Sequence, residues 1–99
     1  MWYVIRGVDV AESLELRRGA RDAHLARLRE LRDAGRLLAS GPLPAIDASD
    51  PGPAGFVGSV VIAEFASLDE ARRWADGDPY LECGAWTRAH VDPFVLVLP

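Results

Sequence analysis

Few residues of this chain are equipped for chemistry: two histidines, one cysteine and, of the three aspartates set directly before a proline, Asp78. His24 is the most informative of them. At helical spacing it shares one stripe with Arg17, Arg21, Leu28 and Leu31, so the inward face of that helix begins cationic and ends apolar. Asp78, in "GDPYLECG", suits an N-cap with proline at the first helical position, a role that contributes about 1 kcal/mol. It equally suits a carboxylate that orients an imidazole. In that second role Asp78 accepts one ring N–H of His24, and the other ring nitrogen takes a proton from a small acidic or phenolic substrate. Arg17 and Arg21 would hold the carboxylate or developing oxyanion. A purely structural arrangement satisfies the same residues: the arginines pair with Glu12, Glu15 or Asp78, and His24 is a bonded histidine at the rim of the core. Spacing does not choose between the two.

Other chemistries find less support. Cys83 in "ECG" lacks a nucleophile-elbow context and reads as a small buried thiol, and as the sole cysteine it forms no internal disulfide, which fits a reducing compartment. The two histidines have no i,i+4 partner, and Asp47 and Asp50 lie in a loop, so no metal is expected. "GPLPAIDASDPGPAGFVG" has glycines without phosphate-loop spacing, and no cofactor is expected either. A formal charge of −4 argues against nucleic acid, although all eleven cations are arginine. No run is long enough for a signal sequence or a bilayer span, which predicts a cytoplasmic protein with no membrane partner.

The elements that must position these residues follow from changes of apolar period. With 99 residues, 49% hydrophobic and 26% charged, the chain is read as one globular domain over 1–99. "WYVIRGV" (2–8) is a strand, and a helix is predicted over about 11–34, weakened at Gly19 and closed at Gly35. "RLLASG" forms a second strand and "VGSVVIAEFA" (57–66) a third. "SLDE" has capping-box spacing and opens a second helix, Asp78-Pro79 starts a short third one, and "HVDPFVLVL" (90–98) is the last strand.

The order β-α-β-β-α-β predicts an α+β, ferredoxin-like fold with helices on one face of a four-stranded antiparallel sheet. Strands three and four read as apolar on both sides: Val57, Val61, Ala63 and Phe65 against Val60 and Ile62, then Phe94, Leu96 and Leu98 against Val95 and Val97. A homodimer with its sheets face to face would bury both. The loop from Leu43 to Phe56 is long enough to cover a pocket floored by the first and third strands. Arg21, His24 and Asp78 are placed at the wall of that pocket, and Tyr3, Ser59 and Tyr80 along its lining.

"HLARLRELRDAGRLLASGPLPAID", "DPGPAGFVGSVVIAEF", "SLDEARRWADGDPY" and the closing "PF" resemble, in order and with the expected gaps, the YciI or YCII-related proteins. The resemblance covers nearly the whole chain. It implies a dimeric α+β barrel of ferredoxin-like subunits. It also implies an active-site dyad of a histidine in the first long helix, here His24, and an aspartate in a D-P-[FY] turn, here Asp78. Relatives include an enzyme that eliminates HCl from a chlorinated hydroxyquinol, while the wider barrel class includes metal-independent oxygenases and isomerases. "WTRAH" departs from the pattern, so His90 is not carried over to the site. The expected protein is thus an acid–base enzyme of lyase, isomerase or cofactor-free type acting on a small anionic or phenolic metabolite. The alternative is a dimeric module that binds such a ligand, or a partner, without turnover.

Overall fold

The computed structural model describes residues 1–99. In chain order the elements are β1 (Trp2–Asp9), α1 (Leu14–Asp33), β2 (Leu37–Pro44), β3 (Phe56–Glu64), α2 (Leu68–Asp76), α3 (Pro79–Glu82) and β4 (Trp86–Phe94), with one 3-10 turn at Gly52–Ala54. The strands form one antiparallel sheet in the order β2-β3-β1-β4. This is the predicted ferredoxin-like α+β arrangement. Tyr3, Ile5, Val61, Ala63 and Phe65 project from one sheet face and pack against Leu28 and Leu31 of α1 and Ala71 and Ala75 of α2.

Local sequence explains where the elements end. Gly35 adopts φ +72°, its N–H bonds to the Arg32 carbonyl, and the Arg36 N–H reaches back to the Leu31 carbonyl. That is a Schellman closure, which a side chain at position 35 would strain. Ser67 caps α2 by accepting the Glu70 N–H at 3.1 Å, and the Glu70 carboxylate accepts the Ala66 N–H at 3.2 Å. α1 continues through Gly19 without a break, because the helix is held by its buried stripe on either side of that exposed glycine.

Three expectations are corrected. β4 covers residues 86–94 rather than 90–98, because Phe94 already pairs with Trp2 and no strand remains opposite residues 95–98. Val95, Val97 and Leu98 therefore lie in an unpaired, exposed tail. Within the observed β4, Ala89 and Val91 face the core, while Arg88, His90 and Asp92 alternate outward. The bare sheet face is consequently mixed, apolar at Val4, Val60 and Ile62 and polar at Arg6, His90 and Asp92. Last, the 43–56 loop does not roof the pocket. A hydrogen bond from the Ala45 N–H to the Gly55 carbonyl closes its neck, and Pro53–Gly55 lie beside the N-terminal end of α1.

Candidate active site

His24 reaches the site from the middle of α1, one turn before Leu28, and its ring is buried. Its Nδ1 lies 2.9 Å from Asp78 Oδ1 and 3.0 Å from Oδ2. Asp78 is 1% exposed, and Oδ1 also accepts the Tyr80 N–H at 2.9 Å. The cap and the imidazole partner are thus the same carboxylate: the turn that starts α3 holds Asp78 where α1 presents His24. An ionised carboxylate only accepts, so Nδ1 carries the proton of this contact and Nε2 is the basic nitrogen, which no protein group bonds. Arg27, one turn further along α1, sets its Nη1 4.0 Å from Asp78 Oδ2, donates from Nη2 to the Trp74 carbonyl at 2.7 Å, and lies over the Trp74 ring.

Aromatic rings fix the imidazole plane. Tyr80 stacks on His24 with centroids 4.0 Å apart and planes 15° from parallel, and Trp86 meets both rings edge-on. Trp86 lies flat on the backbone of Gly7, where a Cβ would come within 2.2 Å of the indole. Only glycine allows that approach.

Arg17 is not a free cation. Its Nε and Nη2 grip the two oxygens of Asp9 at 2.7 Å each, and Nη2 also reaches the Gly58 carbonyl and Ser59 Oγ, both at 2.9 Å. The ring faces of Phe56 and Tyr80 lie 4.8 and 4.9 Å from its Cζ. Asp9 faces inward by the same strand alternation that turns Tyr3, Ile5 and Gly7 toward the helices. Sequence reasoning missed this pair, having offered Glu12, Glu15 or Asp78 as the partner. The available signal was an acid at the end of a strand, one short connection before a helix with a buried arginine.

Between α1 and the sheet, Arg17, Arg21, His24, Ser59 and Tyr80 border a solvent-connected cavity of about 400 Å³. Leu25, Leu28, Phe56 and Val61 supply apolar wall, and β2 closes one side with Ser40, Gly41 and Pro42. Arg21 is exposed and without an ion pair, whereas neighbouring Arg18 pairs with Glu15. Of the residues predicted to surround a ligand, Arg21, His24, Ser59 and Tyr80 line the cavity directly and Asp78 stands behind His24. Tyr3 does not: on the helix-facing side of β1 it packs edge-on against Phe65 inside the core, 5% exposed. His90 lies on the opposite face and Cys83 makes only 3.5 Å contacts with backbone carbonyls. No group of three or more His, Cys, Asp or Glu comes together in a way that could hold a metal ion.

Burial pushes the Tyr80 hydroxyl above the ordinary tyrosine value near 10.0, against the opposing pull of Arg17 and Arg21. The fold therefore favours the neutral phenol. Its contribution to stability is complete below about pH 10 and disappears as pH rises through the folded-state value. Thermal melts should show wild type losing stability more steeply than Tyr80→Phe as pH rises above about 10; parallel losses would contradict the burial of the hydroxyl.

Comparison with known proteins places this geometry in context. A YCII-related domain profile matches residues 1–95. Protein YciI of Escherichia coli O6:H1 (strain CFT073) is 57% identical over 94 residues, covering 95% of this chain and 96% of that protein. An uncharacterized protein of Haemophilus influenzae is 49% identical over the same length, with the same coverage of both chains. The fold is similar to that of 5-chloro-2-hydroxyhydroquinone dehydrochlorinase (TftG) from Burkholderia phenoliruptrix AC1100, solved in complex with 2,5-dihydroxybenzoquinone, at a TM-score of 0.82 and 26% identity over 96% of this chain and 94% of that one. With its profile spanning all but the last residues and its relatives matched from end to end, this chain belongs to the YCII-related family.

Proposed function

We propose that the protein is an acid–base enzyme that removes a proton from a small anionic or phenolic metabolite, with His24 as the base and Asp78 as the group that orients it. The observation that carries this reading is the bonding of the His24 ring: Nδ1 is committed to a buried carboxylate, and Nε2, without a protein partner, belongs to a side chain lining an open cavity. In the chemical step a substrate O–H or activated C–H bond breaks, its electron pair stays on the substrate, and the proton moves to Nε2. The resulting imidazolium keeps its Nδ1–H bonded to the Asp78 carboxylate, which neutralises it in place. Arg21, unpaired at the cavity, attracts the substrate anion. The likeness to a dehydrochlorinase that binds a dihydroxybenzoquinone supports an oxygenated ring as the substrate class.

Binding tests the reading first. A ligand at 100 times its dissociation constant stabilises the folded state by about 2.7 kcal/mol. Small phenols and enols, with 2,5-dihydroxybenzoquinone among them, should raise the melting temperature of wild type by several degrees and that of His24→Ala and Arg21→Ala much less. Equal shifts in wild type and His24→Ala would put the binding elsewhere.

The protein is further proposed to work as a homodimer, its sheets packed face to face. Val4, Val60 and Ile62 on the bare sheet face and the apolar 95–98 tail support this reading, since two copies would cover both. Light scattering at micromolar concentration should give twice the chain mass for wild type and a lower mass for Ile62→Asp. A monomeric wild type would refute the arrangement.

A further inference from the structure

Ser59 is unusual among the cavity residues because its oxygen is already engaged as an acceptor. It is 4% exposed and stands on the helix-facing side of β3, between Gly58 and Val60. Its Oγ lies 2.9 Å from Arg17 Nη2. A guanidinium has no acceptor, so in this contact Ser59 must accept and the serine proton must point elsewhere. No protein acceptor takes it. The orientation is enforced from behind, because Arg17 is itself locked by two bonds to buried Asp9 and one to the Gly58 carbonyl, while Asp9 also accepts from Ser13. A nearly buried hydroxyl with an occupied oxygen and an unsatisfied proton borders the cavity that His24 also lines. Leaving such a donor unmatched is costly, so a ligand that supplies an acceptor gains more than a surface hydrogen bond would give.

We propose that Ser59 is a specificity-determining donor, polarised by the Arg17–Asp9 pair, and that the site selects planar oxygen acids carrying a second, acceptor oxygen on the ring. The proposal rests on the acid–base reading of His24, which takes the acidic hydroxyl. Ser59 then receives a ketone, quinone or phenolate oxygen elsewhere on the same ring. The two groups are not neighbours: Tyr80, stacked on His24, lies between the imidazole and the Arg17 guanidinium that holds Ser59. A ligand that engages both must therefore present oxygens on different sides of its ring. Phe56, Val61 and Leu28 offer apolar surface to the ring itself.

Calorimetric titration of two probes against wild type, Ser59→Ala, Ser59→Thr and His24→Ala tests this. 2,5-Dihydroxybenzoquinone carries both kinds of oxygen, whereas 2,6-difluorophenol has an acidic hydroxyl and no second oxygen. Ser59→Ala should weaken the first probe about tenfold or more and the second by less than about twofold, and Ser59→Thr, which keeps a hydroxyl, should restore the preference. Folding is not at issue, since Arg17 retains Asp9 and the Gly58 carbonyl in both variants. Equal weakening of the two probes by Ser59→Ala, with His24→Ala still reducing both, would overturn the role of Ser59 and leave the acid–base reading intact. If His24→Ala leaves both affinities unchanged, or neither probe binds wild type, both readings fall.

Discussion

Arg17→Met is expected to destabilise the protein by about 3–5 kcal/mol, enough to remove much of the stability of a domain this size. Asp9 is the reason. Its side chain is 1% exposed and that of Arg17 8%, so deleting the guanidinium leaves a carboxylate in the interior with little more than the Ser13 hydroxyl for company. The loss comes from stranding the partner rather than from the intrinsic strength of the pair, and this makes a sharper expectation. Asp9→Asn combined with Arg17→Met should be less destabilising than Arg17→Met alone, because no buried charge is then left uncompensated. Arg21→Ala, at an exposed position without an ion pair, should fall within about 0.5 kcal/mol of wild type. Urea denaturation of the four proteins reads all of these values. Comparable losses for Arg17 and Arg21 would contradict the division of labour between a structural and a ligand-facing arginine.

The second large effect concerns rate. Asparagine is as good an N-cap as aspartate, so Asp78→Asn should keep the Tyr80 N–H bonded and α3 in place. What it removes is the negative charge facing Nδ1, and with it the stabilisation of the imidazolium that proton abstraction creates. On any compound of the phenol and enol panel that the protein turns over, Asp78→Asn should lower kcat about 10²- to 10⁴-fold with little change in melting temperature. Steady-state kinetics beside thermal melts separates the two roles of this side chain. A variant with near-wild-type turnover would reduce Asp78 to a helix cap.

Much of this site could be read from the chain because it depends on short-range pattern. The stripe of Arg17, Arg21, His24, Leu28 and Leu31 turns one face of α1 inward whatever the tertiary context, and Asp78-Pro79 starts a helix by local bonding alone. That these two segments meet is a property of the ferredoxin-like crossover, and it was the resemblance rather than the spacing that favoured their pairing. What escaped depends on tertiary placement. Asp9 shares the inward parity of Tyr3, Ile5 and Gly7, but its meeting with Arg17 depends on how α1 lies across β3, which no local pattern announces. β4 was displaced toward the C-terminus because "FVLVL" has the stronger strand composition, yet pairing with β1 ends at Trp2. Tyr3 was assigned to the cavity although its correct facing, toward the helices, places it under α2 with Phe65 rather than under the middle of α1. The long loop was read as a lid from its length, but length does not say which way a loop folds, and the Ala45–Gly55 bond folds this one away.

The central claim, that His24 Nε2 takes a proton from a bound oxygen acid while Nδ1 stays on Asp78, is tested most directly by nitrogen-15 NMR of the imidazole at neutral pH. Spectra of wild type with and without saturating 2,6-difluorophenol, a phenol part of which still carries its hydroxyl proton at that pH, and of His24→Gln to assign the signals, are sufficient. The account predicts that His24 begins as the Nδ1–H tautomer and that ligand moves the Nε2 resonance to the position of a protonated nitrogen, with Nδ1 little changed. A His24 spectrum that ligand saturation leaves unaltered would contradict it.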